Sequence, residues 1–383
     1  MFSRALTAIS ADPMPAKPPR TGRRARRSLL LLAFILVATA LAAGHALLWH
    51  RIVDQLAEGF ATWTALRRAE GWGVAHGPPQ RGGWPFAATI TVAKPRLHAG
   101  PDLVPSGAAW HAEAVVLRIS PTRPDRLILE MPGRHHLRID GAVLSVMAES
   151  LHVALPLRAD ADPREAVAAE ARRLRVDTPD GTAEIGSASL RIGESGDGAQ
   201  PTTSLLLSVT GATLPPGLIG TARLGNTVER IALDLVLTSP PGPGRDAAQR
   251  AAAWREGGGT LEVRRLEARW GEAIASASAT LTLDGALQPA GTGTVRLSGG
   301  DALLDAAGNA GLLSPLGAAA ARVALRALSR APPSGDGPPQ AELPLMLRNR
   351  SLSLGGIPLA RLPAWDWERW RWIAAPEPSR LRN

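Results

Sequence analysis

The sequence predicts a mainly β (α+β) protein, with an N-terminal transmembrane helix leading into an extended, curved antiparallel β-sheet and a few short helices. Three observations carry that reading. An uncharged apolar run, SLLLLAFILVATALAAGHALLW, fills residues 28–49. Beyond residue 73 the apolar residues recur with a period of two, in about a dozen short runs separated by Gly, Pro and Asp. Long helical patterns do not recur between those runs, so a central parallel sheet is not expected.

Residues 1–27 read as a basic cytoplasmic N-terminus, disordered by composition with Pro13, Pro15, Pro18 and Pro19, and Met14 is an alternative start. Arg23, Arg24, Arg26 and Arg27 stand directly before the apolar run. About 20 apolar residues cross a bilayer as a helix. With Leu29, Phe34, Leu41 and Trp49 along it, residues 28–49 therefore read as a membrane signal-anchor. A cleavable signal peptide, with Ala40-Leu41-Ala42 as its small-residue site, and a buried core helix are the alternatives. The run exceeds the roughly 7–15 residues of a signal h-region, which favours the anchor. Arginines on the N-terminal side place that end in the cytoplasm and the body in the periplasm, as a single-pass inner (cytoplasmic) membrane protein.

An amphipathic helix is expected over residues 50–70, continuing the anchor. Its face is Ile52, Leu56, Phe60, Trp63 and Leu66, and Gly71 stops it. Residues 71–363 form the β-rich domain, with a division into sub-domains allowed near 240–250. Alternation is plain at Ile90 and Val92, at Val115 to Ile119, at Leu127 to Met131 and at Leu151 to Leu157. It returns at Leu205 to Val209, Ile231 to Leu237, Leu261 with Val263, Leu281 with Leu283, Val295 with Leu297, Leu345 with Leu347, and Leu352 with Leu354. Asp140-Gly141, Asp180-Gly181 and Asp284-Gly285 are the strongest turn signals. Short helices are expected from Asp162-Pro163 to about Arg172, from Asp246 to Arg255, and in two pieces between Asp301 and Ser329. Residues 331–340 read as a flexible loop. In the tail, 364–383, Trp365, Trp367, Trp370 and Trp372 are candidate membrane-interface contacts, since tryptophan favours the boundary between lipid and water. Packing on the body is the other reading.

The formal charge of +9 is misleading as a nucleic-acid signal. Residues 1–28 carry seven bases and one acid, leaving 36 bases and 33 acids for the rest of the chain. The body is nearly neutral, which argues against a nucleic-acid partner. There is no cysteine, so disulfides, thiolate metal sites and cysteine nucleophiles are excluded. No zinc-hydrolase or nucleophile-elbow motif occurs, and the glycine clusters at 257–259 and 291–293 lack a phosphate-binding lysine. His135 and His136 would point to opposite faces of a strand, which disfavours a shared metal. No catalytic residue, metal or cofactor is expected.

Four segments resemble the proteobacterial domain of unknown function 2125 family. These are GWGVAHGPPQRGGWPFAATITVAKPRL from Gly71, LPPGLIGTARLGNTVERIALDLVLTSP from Leu214, AWREGGGTLEVRRLEARWGEAIASASATLTLDGALQPAGTGTVRLSG from Ala253, and LSLGGIPLARLP from Leu352. The resemblance covers about residues 30–363 and leaves out the tryptophan-rich tail. It implies a single-span, inner-membrane-anchored protein with a β-rich envelope domain, and it carries over no catalytic residue. Trp84, Pro85, Trp254, Gly257 and Asp284 read as turn and packing residues. The functional expectation is an envelope protein whose partners are the lipid bilayer and a lipid or other apolar ligand on the curved sheet. The alternative is a structural or protein-interaction scaffold in envelope maintenance. An enzyme would need acids and histidines to converge, for example around His111, Glu113, His135 and His136, and is not expected.

Overall fold

The computed structural model describes residues 21–367, except 102, 105–106, 140, 158–166, 196–201, 218–220, 240–241, 243, 245, 310–312, 314 and 331–339. The chain divides into two units, residues 1–51 and 52–383. Helix α1 (Thr21–Ala69) contributes to both. In the first unit Leu30, Phe34, Leu41 and Leu48 are exposed, and none of the most apolar window is buried. Among the described residues this is the one helix long and apolar enough to cross a membrane.

In the second unit α1 buries Ile52, Val53, Leu56 and Thr64, with Phe60 half-buried. Trp63 and Leu66, which spacing assigned to the inner face, are exposed at 43% and 49%. The inner row keeps four-residue steps to Thr64, whose hydroxyl is satisfied by donating to the Ala61 carbonyl at 2.8 Å. Gly71, at φ 91°, ends the helix as expected: its N–H donates to Arg68 O and that of Trp72 to Arg67 O, both at 3.0 Å.

Among the described residues every strand pairing is antiparallel, and the strands form one open sheet. The first ten strands are halves of five longer ones. β1 (Gly73–Ala75) and β2 (Gln80–Gly82) lie in line against β4 (Arg96–Ala99) and β3 (Ala88–Ala93). β3 and β4 lie in turn against β6 (Ala114–Ser120) and β5 (Ala108–Ala112). β7 (Arg123–Glu130) with β8 (Arg134–Ile139), then β10 (Ser150–Pro156) with β9 (Ala142–Met147), continue the arrangement. β9 and β10 share one edge of β11 (Val167–Thr178), with Met147 opposite Arg175 and Ser150 opposite Arg172. The meander then runs through β12 (Gly181–Ser195), β13 (Thr202–Thr213), β14 (Thr227–Thr238), β15 (Thr260–Trp270), β16 (Ala273–Leu283) and β17 (Pro289–Ser298). β19 (Gln340–Arg348), β20 (Ser351–Leu354) and β21 (Ile357–Arg361) complete it, and β18 (Ser329–Arg330) pairs with the start of β19. The 239–259 connection, where the sequence allowed a division, joins the neighbouring strands β14 and β15.

The breaks between the strand halves fall on one line, which continues through the later strands. Lys94 (φ 49°), Gly133 (φ 81°), Arg173 (φ 46°) and Gly211 (φ 62°) turn the backbone along it. In β11 to β14, Arg173, Gly186, Gly211 and Glu229 are each skipped by the ladder. β15 has no such residue: its Arg269 and Trp270 pair with Arg230 and Val228. Ala268 and Trp270 share a face of β15, so their partners Ile231 and Val228 share it too. The skipped residue thus keeps Ala171 and Leu174, Ala188 and Ile185, and Val209 and Ala212 on one side, although their spacing is odd.

The short helix expected up to Arg172 is not found over residues 167–172, which belong to β11; residues 158–166 lie outside the described residues. Ladders on both edges, to β10 and β12, override the helix-favouring AVAAEARR composition. The other helices occur where expected. Asp246 caps α3 (Ala247–Glu256) by accepting from the Gln249 N–H at 2.8 Å. α4 (Gly300–Asn309) and α5 (Pro315–Leu328) follow, and α2 (Thr221–Leu224) is an additional single turn. α4 and α5 cover the last strands through a core of Leu304, Ala321, Leu325, Ala341, Leu343, Leu354 and Leu359. A smaller cluster joins Leu224, Ala273 and Ala306, with Trp270 against it.

Candidate functional site

One face of the sheet carries an unbroken apolar row. Ile90, Leu117, Leu129, Val153, Ala169 and Leu190 stand directly opposite one another from strand to strand. The same row continues through Leu207, Leu233, Leu266, Ala277, Val295 and Leu343. It crosses twelve strands, about 50 Å in the hydrogen-bonding direction. A second row runs beside it, from Val167 through Ile192, Leu205, Leu235, Val263, Ala279 and Gly293 to Leu345. Period-two alternation in each strand, matched in register across every ladder, is what produces the face.

Cover is unequal along it. Ile90 and Leu343, at the two ends, have no exposed surface. α4 and α5 account for the cover at Leu343. Between them Leu129, Val153, Leu190, Leu207, Leu233 and Val295 are only half-buried, and Ile192 and Leu266 are exposed at 37% and 40%. The β16–β17 part is lined by Ala275, Ala277, Ala279, Gly291 and Gly293, so little side-chain bulk rises there. A Cβ on Gly293 would lie 2.4 Å from the Ser278 carbonyl oxygen, so the backbones meet too closely for any larger residue. The opposite face carries ion pairs, Arg118–Glu130, Arg264–Glu262 and Arg296–Glu342 at 3.2, 3.4 and 2.9 Å. Hydrogen bonds from Thr182 and Arg175 hold the Asp177 carboxyl below its ordinary pKa on that surface.

The adjacent histidines separate as strand geometry requires. His135 is buried on the apolar face, its ring 6.1 Å from that of Trp110, and its Nε2 meets the Met131 carbonyl at 3.1 Å. His136 lies on the other face, stacked 4.5 Å from His111. Burial first, then His136 and Arg96, lower the His111 pKa. Glu113 lies beside Gly133, whose added Cβ would meet its carboxylate. Among the described residues no three His, Cys, Asp or Glu side chains group so as to hold a metal ion.

The residues read as turn and packing residues lie in turns and local contacts. The Trp254 indole donates to the Thr238 carbonyl at 3.2 Å and lies so close over Gly259 that a Cβ there would fall 2.3 Å from the ring. The Gly257 N–H donates to Ala253 O at 2.9 Å, closing α3. Asp284 accepts from the Ala286 and Gln288 N–H groups, both at 2.9 Å. Trp84 and Pro85 form the turn between β2 and β3. Of the tail tryptophans, Trp365 and Trp367 sit against the β16–β17 turn: the Trp365 N–H donates to Gln288 Oε1 at 2.7 Å, and the Trp367 indole to Leu287 O at 2.9 Å. Trp370 and Trp372 lie outside the described residues. Among the anchor residues, Phe34 and Leu41 are exposed and Trp49 is half-buried. Arg23, Arg24, Arg26, Arg27 and Leu29 are in α1, but their side chains are outside the described set.

A sequence model for a family described as "uncharacterized protein conserved in bacteria" (DUF2125) matches residues 49–363. The chain belongs to the DUF2125 family. The match begins at Trp49 and takes in the whole sheet. No match is found among curated proteins or among solved structures.

Proposed function

We propose that this DUF2125 protein is an inner-membrane-anchored envelope protein that holds an acyl chain or comparable apolar ligand on the open middle of its sheet. The carrying observation is the twelve-strand apolar row, helix-covered at its Leu343 end and left partly exposed between Leu129 and Ala277. A face that only packed on itself would be closed along its length; an apolar surface of this extent marks a binding surface. The signal-anchor, with N-terminal arginines in the cytoplasm and the body in the periplasm, supplies the lipid source. The reading assigns no catalysis. The test is mass spectrometry of lipid extracted from full-length protein purified in a mild detergent. Stoichiometric phospholipid is the expected result. Protein that is folded and lipid-free overturns the reading and leaves the envelope scaffold in its place.

A further inference from the structure

Three contacts measure how the first strands run along α1. Arg68 donates to the Val74 carbonyl at 3.0 and 3.2 Å, the Phe60 and His76 rings meet edge to face at 4.9 Å, and Arg81 pairs with Asp54 at 2.8 Å. As the chain advances from 74 to 81, its helix partner retreats from 68 to 54. β1 and β2 therefore climb back along the helix towards Ile52, where this unit begins. Asp54 is two residues from Ile52, about 3 Å along a helix axis, and a strand gains about 3.3 Å with each residue after Arg81. The turn that follows β2 is thus at the Ile52 end of the unit, and in sequence the apolar run ends at Trp49.

That turn is compact. Gly83, at φ 87°, accepts through its carbonyl from the Phe86 and Ala87 N–H groups at 3.1 and 2.9 Å. A Cβ on Gly83 would lie 2.5 Å from the Ala87 carbonyl oxygen. It presents Trp84 at 51% and Phe86 at 85% exposure, although a phenylalanine is ordinarily buried. Two neighbouring aromatics on a firm turn, at the Ile52 end of the unit, match the chemistry of the lipid–water boundary.

We propose that the Gly83–Ala87 turn is a lipid-contact site that inserts Phe86 and Trp84 into the interface of the bilayer crossed by the apolar run. The proposal rests on the anchored reading above. It gives the sheet an attachment to the bilayer of its own, besides the covalent link to the apolar run. The occupant is the phospholipid headgroup–acyl boundary.

The chain has no cysteine, so a single one can be placed and labelled without background. Full-length Phe86→Cys, Val323→Cys and Phe34→Cys proteins are labelled with an environment-sensitive nitrobenzoxadiazole dye. They are then reconstituted into phosphatidylethanolamine–phosphatidylglycerol vesicles with and without doxyl-labelled lipid. Val323, 70% exposed on α5, is the solvent control, and Phe34 reports the anchor. Expected is a blue-shifted label at position 86, quenched by doxyl lipid several-fold more than at 323. Quenching at 34 with none at 86 beyond the 323 level overturns the turn site and spares the anchor. A blue shift at 86 without lipid quenching marks a protein contact and also overturns it. Absence of quenching at both 34 and 86 removes the anchored reading and this proposal with it.

Discussion

Gly211 stands across from Gly186 in the neighbouring strand, on the line where the ladder of the sheet is interrupted. Gly211 has φ 62°, a conformation in which side chains are strained, and a Cβ on Gly186 would approach the Thr210 carbonyl oxygen to 3.2 Å. The interruption keeps Ile185 and Ala212 on the same face as Ala188 and Val209. Replacing Gly211 by valine should cost about 1–3 kcal/mol, since a β-branched residue resists positive φ. Gly186→Ala should cost less, because the neighbouring carbonyl needs to give only a few tenths of an ångström. Urea midpoints of the two variants test the order; equal, unchanged midpoints would remove the line's structural role.

Ala277 belongs to the low part of the apolar face, opposite Leu266 and Val295. Ala277→Phe adds a large ring where the native chain has a methyl group, and should displace bound ligand without burying a polar atom. Lipid recovered per protein is expected to fall several-fold, while far-ultraviolet circular dichroism stays that of the parent. An unchanged lipid content would place any bound ligand elsewhere.

Leu325 ties the α4–α5 cover to the sheet. It is 6% exposed, packs in the cluster with Leu343 and Leu354, and a Cβ on Gly300 would lie 2.7 Å from its Cδ2. Leu325→Ala should cost about 2–5 kcal/mol through lost burial and the cavity left behind. The Arg322–Asp305 ion pair between the same helices is about one-third exposed and should matter less, about 1 kcal/mol or below. Denaturation of Leu325→Ala beside Arg322→Ala separates the two contributions.

How much of this was legible follows the alternation. Strands whose apolar residues keep one parity, such as Ile231 to Leu237, were readable because period two is a direct print of the pleat. β11 and β12 were not, since Ala171 to Leu174 and Ile185 to Ala188 change parity across Arg173 and Gly186. The unbroken row from Ile90 to Leu343 was out of reach for a different reason: it depends on register, which no single strand encodes. Trp63 and Leu66 misled because apolar character alone does not say which helix row turns inward, and Thr64 took that place. The exposed Phe86 left no signal in the sequence, where it reads as an ordinary turn neighbour of Pro85.

His111 offers a pH readout of the face opposite the apolar rows. Its ring stacks on His136, and Arg96 and His136 are its register neighbours on β4 and β8. Burial, His136 and Arg96 together lower its pKa from 6.5. The folded state therefore favours the neutral ring, whereas the unfolded chain takes up a proton as pH falls through about 6.5. This residue's contribution is fully present above that value and is lost as pH drops towards the lowered folded value. The urea midpoint of the parent should decline between about pH 7.5 and about pH 5, the ordinary histidine titration range. In His111→Gln the decline should be shallower, because the variant carries no proton there and relieves His136 of a like charge. An identical decline in both proteins would mean that the His111–His136 stack carries no charge penalty.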